Sequence, residues 1–116
     1  DEEWTVLTDY LKANGHSGPA GSGAEGKALK ATSGWYYYGN GTDEYGWNGL
    51  PGGGRYGSSG NFFYVGSDGF WWSSSQSNPD GFSGDASLRR LFFHLDSVAS
   101  YDFVKAYGFS VRCLRD

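Results

Sequence analysis

Apolar residues at Trp4, Leu7 and Leu11 recur with the spacing of one helix face, and Val6 and Tyr10 widen the stripe. A helix is therefore expected over Asp1–Asn14. Asp1, Glu2 and Glu3 place negative charge in its first turn, where it suits the helix dipole. Asn14-Gly15 supplies a C-terminal stop.

Farther along, the period changes to two. Asn61–Val65 and Gly69–Ser75 read as strands. Leu88–Val98 alternates, with Leu91, Phe93 and Leu95 on one face and Phe92, His94 and Asp96 on the other. Phe103–Leu114 reads as the closing strand, with Tyr107, Phe109, Val111 and Cys113 sharing a face. Ala99–Asp102 is the expected hairpin connection, and Asn78-Pro79-Asp80-Gly81 the turn within the polar Gln76–Asp85 link. The Trp71-Trp72 strand and the Tyr107–Cys113 stretch are expected side by side at the middle of the sheet.

The remaining segments are glycine-rich. His16–Gly26 reads as an exposed loop, whereas Lys27–Thr32 fits either a short strand or a helical turn. Trp35–Tyr38 suits a strand edge or a ligand platform. Gly39–Gly60 is a long irregular stretch whose Tyr45, Trp47 and Tyr56 imply an ordered, packed loop. The expected fold is α+β: an N-terminal helix packed on a small, mostly antiparallel sheet with long ordered loops. The expected core holds Trp4, Leu7, Leu11, Leu50, Trp71, Trp72, Leu91, Phe93, Phe109 and Val111.

Composition sharpens this picture. At 116 residues the chain is a single domain, 1–116. Apolar residues make up 38% and aliphatics are scarce, so the 5 Trp, 9 Tyr and 8 Phe must supply much of the buried area. Each such ring buries roughly 150–250 Å². The net charge is −4 with a pI near 5.0, and no Lys/Arg cluster is long enough to follow a phosphate backbone, which argues against nucleic acid. No apolar run approaches the ~20 residues of a membrane-spanning helix. The lone Cys113 makes neither an internal disulfide nor a zinc site.

Several motifs invite a chemical reading and lose it on context. Gly21-Ser22-Gly23-Ala24-Glu25-Gly26 has the dinucleotide spacing and is followed by Lys27, but a helix precedes it and Ala28 stands where magnesium needs Ser or Thr. Pro51-Gly52-Gly53-Gly54-Arg55 offers amides and a cation to an anion, yet it reads better as a tight packed loop. His94, Asp96 and Ser73–Ser75 supply the residue types of a hydrolytic triad without a G-x-S-x-G elbow. His16 is remote from His94 in sequence. Calcium has oxygen donors in Asp43, Glu44, Asn48 and Asp80, but without EF-hand spacing they read as solvated acidic loops. Asn40-Gly41-Thr42 is a formal sequon.

The aromatics make the best case for function. Trp35, Tyr36, Tyr37, Tyr38, Trp47, Tyr56 and Tyr101 are too many to bury in so small a chain. Flat rings beside Asn, Asp and Ser suit sugar faces and protein surfaces.

Read together, the pieces resemble the Fibrobacter succinogenes major paralogous domain, a family of bacterial surface proteins and lipoproteins. The resemblance rests on Asp1-Glu2-Glu3-Trp4 with Leu7 and Leu11, Gly26-Lys27-Ala28-Leu29-Lys30, and Gly46-Trp47-Asn48-Gly49-Leu50-Pro51-Gly52-Gly53 with Arg55. It continues through Gly69-Phe70-Trp71-Trp72-Ser73-Ser74-Ser75 and Tyr107-Gly108-Phe109-Ser110-Val111-Arg112-Cys113, so it spans essentially the whole chain. It implies kinship with C-type-lectin-like folds and an extracellular or cell-surface location. It also implies an upstream segment, carrying strands and a cysteine partner for Cys113, that this chain lacks. The last strand would then offer an unpaired edge. The catalytic cysteines of the related formylglycine-generating enzymes have no counterpart here, so that activity is not carried over.

The expected function is a non-catalytic extracellular binding or adhesion module for a carbohydrate or protein ligand. Its contacts would come from Trp35, Tyr37, Trp47, Arg55 and Tyr101, with no cofactor and no support for calcium. The alternatives are a display or assembly domain pairing through an edge strand, and a hydrolase using His94 and Asp96.

Overall fold

The computed structural model describes residues 1–77 and 84–115. The Asn78–Gly81 turn expected from sequence lies outside that range. Helix α1 spans Glu2–Leu11 and carries Glu2 and Glu3 in its first turn. Its stripe behaves as the spacing predicts: Leu11 is fully buried, with Trp4 and Leu7 packed against the same cluster. A wide helical turn over Lys12–His16 follows, and Gly15, at φ +100°, takes the left-handed conformation that stops the helix. The open choice at Lys27–Thr32 resolves as a helical turn. Helix α2, Glu25–Leu29, buries Gly26, Ala28 and Leu29 and exposes Lys27.

The strands are β1 (Gly54–Arg55), β2 (Phe62–Phe63), β3 (Asp68–Gln76), β4 (Asp85–Phe92) and β5 (Ala99–Val104). β1 and β2 form a two-stranded antiparallel ribbon, and β3-β4-β5 a three-stranded antiparallel sheet. The closing segment joins the two. Arg55 and Gly108 exchange backbone bonds of 2.9 Å each. Ser110 N–H donates to Phe70 O, and Trp72 N–H donates to Ser110 O, both at 3.0 Å. The tryptophan strand and the closing stretch therefore do lie side by side, in parallel, over one short bridge.

Several strand boundaries differ from expectation. β4 stops at Phe92 because Phe93 N–H leaves the ladder and donates to Ser67 O at 2.8 Å. Ala99–Asp102, expected as a connection, belongs to β5, where Leu88 pairs with Tyr101 and Arg89 with Ser100. Only Phe103 and Val104 of the expected closing strand are in β5; the chain then turns, with Tyr107 N–H on Val104 O. Asn61–Val65 shortens to Phe62–Phe63, as Tyr64 turns away at φ +56°.

The sheet separates two unlike layers. On one face Trp71 and Leu91 meet Leu11, Ala28, Leu29 and Trp35 from the helical side. On the other, Phe70 stacks on Phe109 with centroids 4.9 Å apart, and Phe109 also meets Trp72 and Phe103. Phe63 and Tyr107 extend this second, almost wholly aromatic layer. The fold is α+β as expected, with rings supplying the bulk that aliphatics lack. Phe93 packs against the first layer.

Two expected core residues are outside. Leu50 is 55% exposed because it alternates with the inward-facing Gly49 and Pro51. Val111 is 71% exposed because it follows the last backbone bond to β3 and lines an open groove beside α1.

Candidate functional site

Trp35 is only 4% exposed, so its ring is a core element rather than the ligand contact expected from sequence. Its indole Nε1–H donates to Gly49 O at 3.0 Å, and its backbone N–H donates to Asn40 Oδ1 at 3.0 Å. Asn40, the sequon residue, thus closes the loop that Trp35 anchors. Lys30 reinforces the anchor from the other side. Its Nζ donates to Phe92 O and Leu95 O, each at 2.9 Å, and lies 5.2 Å from the Trp35 ring. Burial pushes the Lys30 ammonium below the ordinary lysine value, against the opposing attraction of Asp96.

The next three residues point outward from this anchor. Tyr36 is 54% exposed and Tyr37 83%, and Tyr38 is fully solvated. Gly39 N–H closes a turn onto Tyr36 O at 3.0 Å, with Tyr37 inside it at φ +50°. A bulky side chain rarely adopts that conformation, and such strain gathers at functional sites. The Tyr36 and Tyr37 rings stand edge to face, 6.5 Å apart, and Tyr37 leans on Phe93.

A second loop abuts the first. Tyr36 N–H donates to Gly66 O at 2.8 Å, and Gly66 N–H to Pro51 O at 2.8 Å. Exposed Tyr64 and Val65 precede Gly66, Tyr64 also in the left-handed region. Gly66 itself, at φ +88°, lies under the Tyr36 ring: a Cβ there would stand 2.4 Å from Tyr36 Cε1. Gly66→Ala is therefore expected to cost about 1–3 kcal/mol and to displace the Tyr36 ring. Chemical denaturation and the near-ultraviolet tyrosine signal check both effects.

The aromatic surface continues across the sheet through Arg90. Its guanidinium carbon is 5.7 Å from the Tyr64 ring and 5.9 Å from Tyr101, with Phe70 and Phe92 closer still. Both Arg90 Nε and a terminal guanidinium nitrogen donate to Asp68 Oδ2, so this cation is matched by a buried carboxylate.

The five sequence-predicted contacts are thus dispersed. Tyr37 and Tyr101 are exposed on this aromatic surface. Trp47 is a packing ring wedged edge-on to Trp4 and Trp71, with the Arg112 guanidinium 4.8 Å over it. Arg55 lies apart, its Nε bonded to Gly60 O, on a polar hollow of about 410 Å³ shared with Tyr56, Ser58, Ser59 and Tyr107. Tyr64, expected within a strand, and Tyr36, not among the expected contacts, are exposed here as well. A usable signal was present: neither Ala31–Thr42 nor Tyr56–Ser67 contains a charged residue or histidine.

Other motifs are not assembled. The Pro51–Arg55 amides serve the fold, Gly53 N–H on Asp68 O and Arg55 N–H on Gly108 O, rather than an anion. Asp68 pairs with Phe92, so Ser73 stands five residues along β3, roughly 16 Å from the His94 end of the sheet. Asp43 Oδ1 accepts the Asn48 N–H at 2.6 Å, locking its own loop. Among the described residues no three His, Cys, Asp or Glu side chains gather as a metal site. Asp80 lies outside them.

Neither a curated protein nor a solved structure matches the chain significantly. The profile of the Fibrobacter succinogenes major domain, in contrast, matches residues 1–115. The chain therefore belongs to the Fibrobacter succinogenes major domain family.

Proposed function

We propose that this domain is a non-catalytic binding module of a bacterial cell surface, with the Tyr36-Tyr37-Tyr64 face as its contact surface. One observation carries the reading: exposed Tyr37 and Tyr64 sit on strained backbone, and buried Trp35 anchors the turn that carries Tyr36 and Tyr37. Tyr37 touches Tyr36 and Phe93 yet stays 83% exposed, so its strain is better accounted for by a ligand than by stability. The kinship with surface proteins and C-type-lectin-like folds that the sequence resemblance implies agrees with this location and type of role. The reading requires no cofactor.

Tyr37→Asn separates binding from folding. Asn tolerates the left-handed region that Tyr37 occupies, so the variant should be as stable as the parent or more stable by about 0.5–1 kcal/mol. Its ligand retention should nevertheless fall. A variant that binds undiminished would remove this face from consideration.

A second reading is favoured by β5, the terminal strand of its sheet, where Tyr101, Phe103 and Val104 are exposed. An open apolar edge of this kind pairs readily with another chain. The edge in question is β5 rather than the closing stretch expected from sequence. Sedimentation across a wide concentration range tests it: assembly predicts mass rising with concentration, and a monomer throughout sinks it.

A further inference from the structure

We infer that the tyrosine face takes an uncharged polysaccharide, one whose sugar rings present flat C–H faces. This rests on the binding reading above and adds the chemical class of the ligand.

The two loops that build the face carry no formal charge. Ala31–Thr42 and Tyr56–Ser67 contain no Asp, Glu, Lys, Arg or His, although charged residues make up 19% of the chain. The loops are far apart in sequence and are brought together by the Tyr36–Gly66 backbone bond. Where the two loops meet, around Tyr36 and Gly66, the surface they form is thus neutral. Of the cations beside these loops, Arg55 is exposed at the Tyr56–Gly60 end of the second loop, with its Nε bonded to Gly60 O and its guanidinium over Phe62; the other two are engaged or enclosed. Arg90 is matched by Asp68, and Lys30 is 1% exposed with its Nζ bonded to two carbonyls.

What the face does present is ring surface edged with hydroxyl and amide groups. Tyr36, Tyr37 and Tyr64 supply apolar faces with phenolic rims, and the same two loops also expose Thr32, Ser33, Tyr38 and Asn61. Ring faces stack on the C–H side of a pyranose while the rims meet its hydroxyls, and neither contact uses charge. A polyuronate or sulfated glycan would find no cation within either loop to neutralise it, and the domain's net charge of −4 would repel it. A protein partner would be denied the charge complementarity that fixes register in most such interfaces.

The experiment is affinity electrophoresis of the intact domain through gels containing β-glucan, glucomannan or galactan, with polygalacturonate as the charged comparator, at low and high salt. Tyr37→Asn and Tyr36→Ala accompany the parent, each first shown folded by its melting curve. Expected is retardation by at least one neutral polymer, insensitive to salt and weakened about threefold to tenfold by either variant. Retardation chiefly by polygalacturonate, or loss with salt, would overturn the neutral class while leaving a tyrosine-dependent site in place. So would Tyr37-dependent capture of a protein with no neutral polymer bound. Neutral retardation that both variants retain, or no Tyr37-dependent binding of any kind, would overturn the inference and the binding reading together.

Discussion

Trp35→Ala should destabilise the domain by about 3–5 kcal/mol, the range for removing a fully packed large ring from a core, and should abolish ligand retention although Trp35 touches no ligand. The indole is 4% exposed within the cluster formed with Leu11, Leu29, Trp71 and Leu91. Its loss opens a cavity and also frees the Tyr36–Gly39 turn. Trp35→Phe distinguishes the two consequences. It keeps most of the packing and loses the Nε1–H bond to Gly49 O, a carbonyl that also accepts the Ala31 N–H. The expected cost is about 1 kcal/mol, with binding retained. Denaturant titrations paired with gel retardation measure both. If Trp35→Ala folds with near-parental stability, the ring is no anchor, and the account of the face fails with it.

Lys30→Ala should have a comparable effect, about 3–5 kcal/mol, from the cavity and the two carbonyls left without a donor. Lys30→Met preserves volume and relieves the burial of charge, so its cost near neutral pH should be smaller, about 1–2 kcal/mol. The two proteins should then diverge with pH. The folded state holds Lys30 below its ordinary value of 10.5, so between the lowered value and 10.5 the unfolded chain binds the extra proton. Stability owed to Lys30 therefore rises with pH through that window and levels off above it. Below the lowered value both states are protonated and the contribution stays at its minimum. The neutral amine still has two N–H groups for Phe92 O and Leu95 O. The gap between parent and Lys30→Met should widen on going from neutral to alkaline pH in urea titrations. A gap that narrows would mean that the charged form is the one the fold prefers.

The sequence made some of this plain and concealed the rest for identifiable reasons. The Trp4–Leu7–Leu11 stripe and the strand around Trp71-Trp72 were legible because periodicity reports burial on regular elements, and both are regular. The β4–β5 boundary was not, because the alternation runs on from Leu91 through Leu95 after the ladder has ended at Phe92. Pattern cannot reveal that Phe93 N–H is taken by Ser67, a contact between distant residues. Leu50 and Val111 were misjudged as core for a similar reason: apolar character says nothing about which side of an irregular segment faces inward. In the Trp35–Tyr38 run, adjacent rings meet opposite fates. That division depends on a turn with Tyr37 in the left-handed region, for which tyrosine has no intrinsic preference. The absence of charge in the two loops could be read from the sequence. That they form one surface could not.

The hanging of the tyrosine turn from a core indole has a kinetic and thermodynamic corollary. The amides of Trp35, Tyr36 and Gly39 are committed to Asn40, Gly66 and the turn itself, though none lies in a strand or helix. They should exchange with deuterium slowly, on the scale of the core rather than of a surface loop, because releasing them means extracting Trp35. A surface so stiffened gives up little freedom when a partner arrives. Its selectivity would come from a shape already set in the free protein.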